Sequence, residues 1–368
     1  MARKTKIIKR TIAIFMLLSA ATILPAQHFI AIDSLSILRH PEHIIDYTSK
    51  SIKSAEEAIG KHLDEKDTLY ITPDLYKWKF MLQYSNCYEY YKFSARNTPQ
   101  SITLSPDNKN KMGLYIGWKW IFLGWSFDID RHNTKTDWNF SFYTAKLGID
   151  VFHRKTGENF KLRKLTGFTD PINGKEIIPT QRSFDGISVN QTGINLYYIF
   201  NNKEFSYPAA YNQKGNQRIS CGSLIAGLSY SSQSFQMDIT KFEERIREAM
   251  PASMNFNNIK YHDFSINAGY SYNWVFAKNC LANISLTPAI GYKHSNIKTD
   301  EKRSIFSNIN ADLISRAGII YNNSRYFVGA SVVSHTYTYR KRAISIVNGF
   351  GVVNIYSGIN LFRDEKKK

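Results

Sequence analysis

The chain has 368 residues, 43% apolar and 14% aromatic, and its 48 Lys plus Arg outnumber 30 Asp plus Glu for a formal charge of +18. This apolar content excludes a disordered chain, and the lack of an apolar run of about 18 residues after the first 26 excludes a helical membrane protein. Arg3, Lys4, Lys6, Lys9 and Arg10 account for part of the excess, and the remaining bases fall in small scattered groups with few aromatics between them, so nucleic acid is not an expected partner.

Residues 1–26 run from a basic start through an apolar stretch at 12–24 to Pro25 and Ala26, the layout of an export signal peptide. No Cys follows the apolar stretch, so a lipid anchor is not expected. Residues 27–77 read as a short N-terminal periplasmic region: Ile52, Ala55, Ala58, Ile59 and Leu63 have helical spacing, and 68–72 is strand-like. Cys87, Cys221 and Cys280 allow at most one bridge and are expected as free, buried thiols.

From Trp78 the period changes to two. Phe264, Ile266, Ala268, Tyr270, Tyr272, Trp274 and Phe276 alternate with Asp263, Ser265, Asn267, Gly269, Ser271 and Asn273. Ala282 to Tyr292 and Ile309 to Tyr321 repeat the pattern, and residues 143–151 read as a further alternating strand with Lys146 and Asp150 on its polar face. The polar faces are Gly, Ser, Asn and Asp, small groups suited to a narrow lumen. The alternation lasts ten residues or more, the length of a tilted membrane-crossing strand. The expected fold is all-β, an antiparallel up-and-down transmembrane β-barrel over 78–362 with a charged tail at 363–368.

Twelve strands are predicted, at 78–93, 111–119, 121–130, 137–153, 158–168, 185–201, 217–231, 258–277, 280–295, 303–322, 325–341 and 344–362. The expected periplasmic connections are 120, 154–157, 202–216, 278–279 and 323–324. The outer ones are 94–110, 131–136, 169–184, 232–257, 296–302 and 342–343. Residues 202–216 read as a structured inner turn, and 232–257 holds a short helix with Phe242, Ile246 and Ala249 on one face. The close at Tyr356 to Phe362 has the aromatic ending expected of a strand read by the barrel-assembly machinery.

Several stretches carry a family resemblance: Asp67-Thr-Leu-Tyr70-Ile71, Pro73 to Trp78, Ile102-Thr-Leu-Ser105-Pro106-Asp107, Gly117-Trp-Lys-Trp120, and above all Gly193-Ile-Asn195 to Phe200-Asn201. Phe205-Ser-Tyr207-Pro-Ala-Ala210 follows, with Gln213, Gln217 and Gly222-Ser223. Over residues 65–362 the chain resembles the Bacteroidota domain-of-unknown-function family 4421, with Pro208 where Arg is expected and Cys221 in place of Ala. The resemblance implies an exported outer-membrane barrel and transfers no catalytic residue.

No chemistry-bearing motif stands out. Ser223, Ser331 and Ser334 with His153, His294 or His335 are the candidates for a lipid-acting acyl hydrolase, but none has diagnostic spacing, and Gly222-Ser223 is not a nucleophile elbow. His28, His40, His43 and His62 lack metal-ligand spacing, so no metal or cofactor is expected. A soluble periplasmic β-protein is the third alternative. The sequence favours a non-enzymatic barrel, a small-solute passage or a surface component, in contact with outer-membrane lipid and lipopolysaccharide. Lys146, Asp150, Asp263, Lys293, Asp312 and Arg316 are the predicted lumenal groups, and charges of both signs in a narrow interior are expected to pair.

Overall fold

A computed structural model describes residues 65–118, 121–129, 136–156, 160–179, 183–298, 303–340 and 343–363. The expected leader, the helix at 49–63 and all but the first residue of the charged tail lie outside the described residues.

The unit Lys66–Lys368 is built of antiparallel strands. They are β1 (Ile71–Thr72), β2 (Tyr76–Ala95), β3 (Ser101–Pro106), β4 (Lys109–Trp118), β5 (Ile121–Asp128), β6 (Thr136–Tyr143), β7 (Leu147–Thr156), β8 (Phe160–Thr166), β9 (Ser183–Phe184) and β10 (Ile187–Ile199). A short helix α1 (Tyr207–Tyr211) and β11 (Asn216–Gln217) precede β12 (Cys221–Met237) and a second helix α2 (Glu244–Glu248). Four long strands and a slightly shorter one complete the wall: β13 (Asn258–Ala277), β14 (Cys280–Lys298), β15 (Arg303–Asn322), β16 (Tyr326–Arg340) and β17 (Ile344–Arg363).

Ladders run without interruption from β6 through β7, β10, β12 to β17 and β2 to β4 and β5, twelve strands in all. The sheet curls on itself, because side chains from distant strands meet across its concave face. Arg316 on β15 pairs with Asp150 on β7, and the Phe152 and Phe350 rings of β7 and β17 lie 5.1 Å apart. This is the expected all-β antiparallel barrel. We call the end where β2 begins and β17 finishes the near end, and the opposite one the far end.

The count of twelve agrees with the alternation, but the strands are not the same twelve. The expected strand 137–153 is two strands, β6 and β7, turned back at Thr144-Ala145-Lys146. There Thr144 Oγ1 accepts the Leu147 amide at 2.9 Å and the Thr144 amide donates to the Leu147 carbonyl at 2.8 Å. Residues 154–156, expected in a periplasmic connection, therefore lie at the far end, because Thr156 is paired with Val189 near the start of β10. The expected strand at 158–168 is present as β8, yet it pairs with β3, a strand inside the stretch expected as the connection 94–110. Above Tyr91, β2 hands its edge from β4 to β3, so the wall at the far end is built differently from the wall at the near end.

Polarity also changes along the axis. Toward the near end, the outward faces are apolar: Phe80, Leu114, Leu228, Ile266, Ile290, Ile309 and Ile355 are all exposed. On β13 this face extends from Phe264 to Phe276, about 40 Å of strand, or about 30 Å of height at a ~40° tilt. Toward the far end the pattern inverts. Tyr91, Phe93, Ile102, Leu104, Phe160, Phe235 and Ile346 form one buried core, while Lys92, Lys155, Lys260 and Arg340 face outward. Residues 238–257 cap that core through Phe242, Ile246, Met254 and Phe256, and α2 carries Ile246 as the sequence pattern predicted.

Candidate functional site in the barrel interior

The interior is filled in three layers. At the near end, the chain between β10 and β12 folds inward as α1. Ser206 caps it by accepting the Ala209 amide at 3.1 Å, and Pro208, which has no amide proton to satisfy, sits in its first turn. Ala209 and Ala210 pack on Met81, Leu281, Ile320, Phe327 and Tyr356, so the helix reaches β2 and β14 to β17 at once. Tyr207 lies against Tyr143 of β6 and Tyr197 of β10 at 5.7 and 5.8 Å. The Tyr211 hydroxyl donates to Asn283 at 2.6 Å, and Asn273 Nδ2 donates to the Ser206 carbonyl at 3.0 Å. Lys79, paired with Asp74 at 2.8 Å, donates to the Gln213 carbonyl at 2.6 Å. The space left between α1 and the wall, lined by Ala209, Asn216, Asn279 and Leu281, is about 10 Å³, room for about one water molecule.

The middle layer is ionic. Arg316 bonds Asp150 through Nη2 at 2.5 Å and the Tyr207 hydroxyl through Nη1 at 3.0 Å, with its guanidinium over the Tyr197 ring at 5.2 Å. Asp150 also accepts the hydroxyls of Tyr143 and Ser141 at 2.6 and 2.7 Å. Lys293, with no exposed surface, stands between Asp312 at 2.9 Å and Asp263 at 3.2 Å, beside the rings of Tyr261 and Tyr337. Asp312 also accepts the Thr338 amide at 2.8 Å, taking over from a ladder that joins β15 to β16 only as far as Leu313 and Thr336. Gln233 collects Gln191, Tyr261 and Asn348 at 2.8–3.2 Å. The apolar far-end core closes the third layer.

Residues 65–360 match the family described as Domain of unknown function (DUF4421). The chain belongs to this family. No curated protein matches it. Among solved structures it is similar to the outer membrane protease OmpT of Escherichia coli, at 11% identity and TM-score 0.38 over 80% of this chain and 99% of that one. It is also similar to the translocator domain of the autotransporter NalP of Neisseria meningitidis, at 7% and 0.33 over 86% and 98%. The attachment invasion locus protein Ail of Yersinia pestis matches at 10% and 0.24 over 76% and 99%. TM-scores this low carry no argument about the chemistry of this DUF4421 chain.

Of the six predicted lumenal groups, the structure brings five into the interior: Asp150 with Arg316, and Lys293 with Asp263 and Asp312. Lys146 is not among them. It sits in the near-end turn between β6 and β7, because the alternation expected to run through it is broken there. For the same reason Tyr143, expected opposite Asp150, points inward and bonds it. The sequence reading missed Glu89, Arg154 and Tyr207 as interior groups, and it offered His335 only as a partner for a serine. Arg154 was legible, since it follows Asp150 and Phe152 at a spacing of two, but lay in a stretch read as a turn. The stretch Phe205 to Gln217, one of those that carry the family resemblance, is the plug, and Gln217 ties it together by accepting the Ser206 amide and donating to the Glu204 carbonyl.

The Ser and His candidates do not assemble as expected. Ser223 Oγ is buried, donating to the Leu224 carbonyl and accepting the Asn201 amide. His335 points inward between aromatic rings, and His153 bonds Thr192. On the outward face, His294 Nδ1 lies 3.0 Å from Ser307 Oγ, a pairing that the cross-strand register creates and the sequence does not announce. Among the described residues no group of three metal-ligating side chains exists. Among the described residues no disulfide joins the three cysteines, of which Cys87 is buried and Cys221 and Cys280 are half-buried.

Proposed function

We propose that this DUF4421 protein is a closed barrel of the bacterial outer membrane, with its near end periplasmic, that serves as a surface or structural component and conducts no solute. The observation that carries the reading is the paired-ion layer between a plug anchored on strands around the wall and an apolar core. An aqueous pore needs a continuous polar path, and neither end offers one. The apolar outer face supports the membrane placement: a contiguous belt of this size exceeds any patch that a soluble monomer exposes. Lys155, Lys260 and Arg340, exposed just beyond the belt, suit the phosphates of lipopolysaccharide. The leader expected in residues 1–26 supplies export, and the barrel-assembly machinery would insert the folded wall.

The test is single-channel recording of the refolded mature protein in a planar bilayer, with heat-modifiable gel migration as proof of folding. A folded, silent barrel is expected. Discrete ohmic steps would overturn the reading. One observation favours a second reading: His294 and Ser307 lie bonded and exposed where the aromatic Tyr292 marks the edge of the belt. A lipid-acting hydrolase needs a Ser–His pair in such a place. Phospholipid hydrolysis that Ser307→Ala abolishes would establish it, and no hydrolysis by the folded wild type would remove it.

A further inference from the structure

Histidines of the outer face fall on one line of the cross-strand register. His153 of β7 stands opposite Thr192, Thr192 opposite Ser232, Ser232 opposite His262, His262 opposite His294, and His294 opposite Ser307. The line runs on the far-end side of Tyr230, Phe264 and Tyr292, which form the next outward row and edge the apolar belt. On its other side stand Lys155 and Lys260, both exposed.

Each of these rings is held at Nδ1 by a hydroxyl. The separation is 2.8 Å from His153 to Thr192, 2.9 Å from His262 to Tyr230 and 3.0 Å from His294 to Ser307. With the hydroxyl donating, the ring proton sits on Nε2, so even a neutral imidazole presents an N–H donor. His262 and His294 form a direct cross-strand pair, with Cβ atoms about 5 Å apart. Lys260 follows on the same face of β13, about 7 Å along the strand. From β7 to β14 the only acids on described strand residues are Asp150 and Asp263, and both turn into the lumen.

A strip of donors and positive charge with no outward carboxylate, at the height where the belt gives way to water, matches a lipid headgroup that carries phosphate. Resting on the membrane placement argued above, we propose that Lys260, His262 and His294 seat one phosphate group of a phosphorylated glycolipid of the outer leaflet. Its acyl chains run down over the exposed Phe264, Tyr292, Ile266 and Ile290. A zwitterionic headgroup fits less well, because it brings its own cation against Lys260.

The test titrates the refolded mature protein in detergent with bisphosphorylated lipid A, or with the same lipid stripped of its phosphates, and counts the lipid retained by native mass spectrometry. Lipid A is expected to stay bound and the phosphate-free form to be lost. Lys260→Gln combined with His262→Gln and His294→Gln should weaken lipid A binding by about tenfold or more, the worth of one charge-assisted hydrogen bond. Lys92→Gln, on β2 away from the strip, should leave binding unchanged. Should the triple variant fail to fold, the exposed Lys260→Gln alone makes the same comparison with Lys92→Gln. Equal loss in the site and control variants would mean diffuse charge and overturn the seat, as would inorganic phosphate that binds as tightly as lipid A. Insertion into phosphatidylcholine vesicles is followed separately. A protein that inserts but does not distinguish the two lipids refutes the seat and keeps the membrane placement, whereas one that does not insert refutes both.

Discussion

Lys293 shows what a single residue does in this interior. Its ammonium separates two carboxylates that face it from β13 and β15, and all three groups are buried. Removing one partner of such a buried set leaves uncompensated charge, at a cost of about 3–5 kcal/mol. Lys293→Met is therefore expected to lower the denaturant midpoint of the refolded barrel sharply, and adding Asp263→Asn and Asp312→Asn to restore most of it. An unchanged midpoint in the single variant would show that the layer is not held by charge. Gly215 is a second sensitive position. It takes φ of +77°, and a Cβ there would come 2.5 Å from the Thr72 carbonyl oxygen, so Gly215→Ala should cost about 1–3 kcal/mol by the same measurement. At this scale the sequence was informative where parity is strict: Asp263, Lys293, Asp312 and Arg316 fall on the polar faces of long alternating strands and were legible as lumenal. Lys146 was misplaced because a turn closed by one threonine hydroxyl resets parity, and nothing in the local residue types distinguishes that from a continuing strand.

Among the elements, α1 is decisive. Five residues are too few to be stable as an isolated helix, so α1 exists because the wall receives it on all sides. Replacing residues 205–215 by a short Gly-Ser linker should leave the barrel silent in a planar bilayer, because the paired-ion layer and the far-end core still close it, while lowering its denaturant midpoint. Step conductance from that variant would show that the plug alone closes the lumen. Tyr207→Ala should cost about 3–5 kcal/mol, since it removes a buried ring together with a hydrogen bond to Arg316. The far-end cap offers a pH test. Asp238 begins its first turn, where the Thr240 hydroxyl and then its amide hold the carboxyl below the usual carboxylate range. A lowered folded value means that the turn gains from the ionised form at ordinary acidity and loses that gain as pH falls through it. Protection of the Thr240 amide, its exchange relative to an unstructured amide at the same pH, should accordingly fall below about pH 4, and Asp238→Asn should flatten the dependence. The cap helix was readable from Phe242, Ile246 and Ala249; the pairing of β3 with β8 was not, because it joins segments far apart in sequence with no distinguishing pattern in either.

At the largest scale, the wall of the unit Lys66–Lys368 is apolar outside near one end and apolar inside near the other. Ile266, 70% exposed in the middle of the belt, tests the first half. Ile266→Arg should cost about 2–4 kcal/mol of stability in lipid vesicles, whereas Lys260→Gln, just beyond the belt, should leave folding unchanged. Equal effects from both would remove the membrane boundary drawn between them. What the sequence by itself determined is the period of two, the all-β class and the polar face of the longest strands, because each depends only on neighbours along one strand. The tertiary structure alone decided which strands make up the twelve, that residues 202–216 enter the lumen, and that Arg316 meets Asp150 and Tyr207. Those depend on register and on the direction in which the sheet curls, and both are set by contacts between residues that lie 100 or more positions apart.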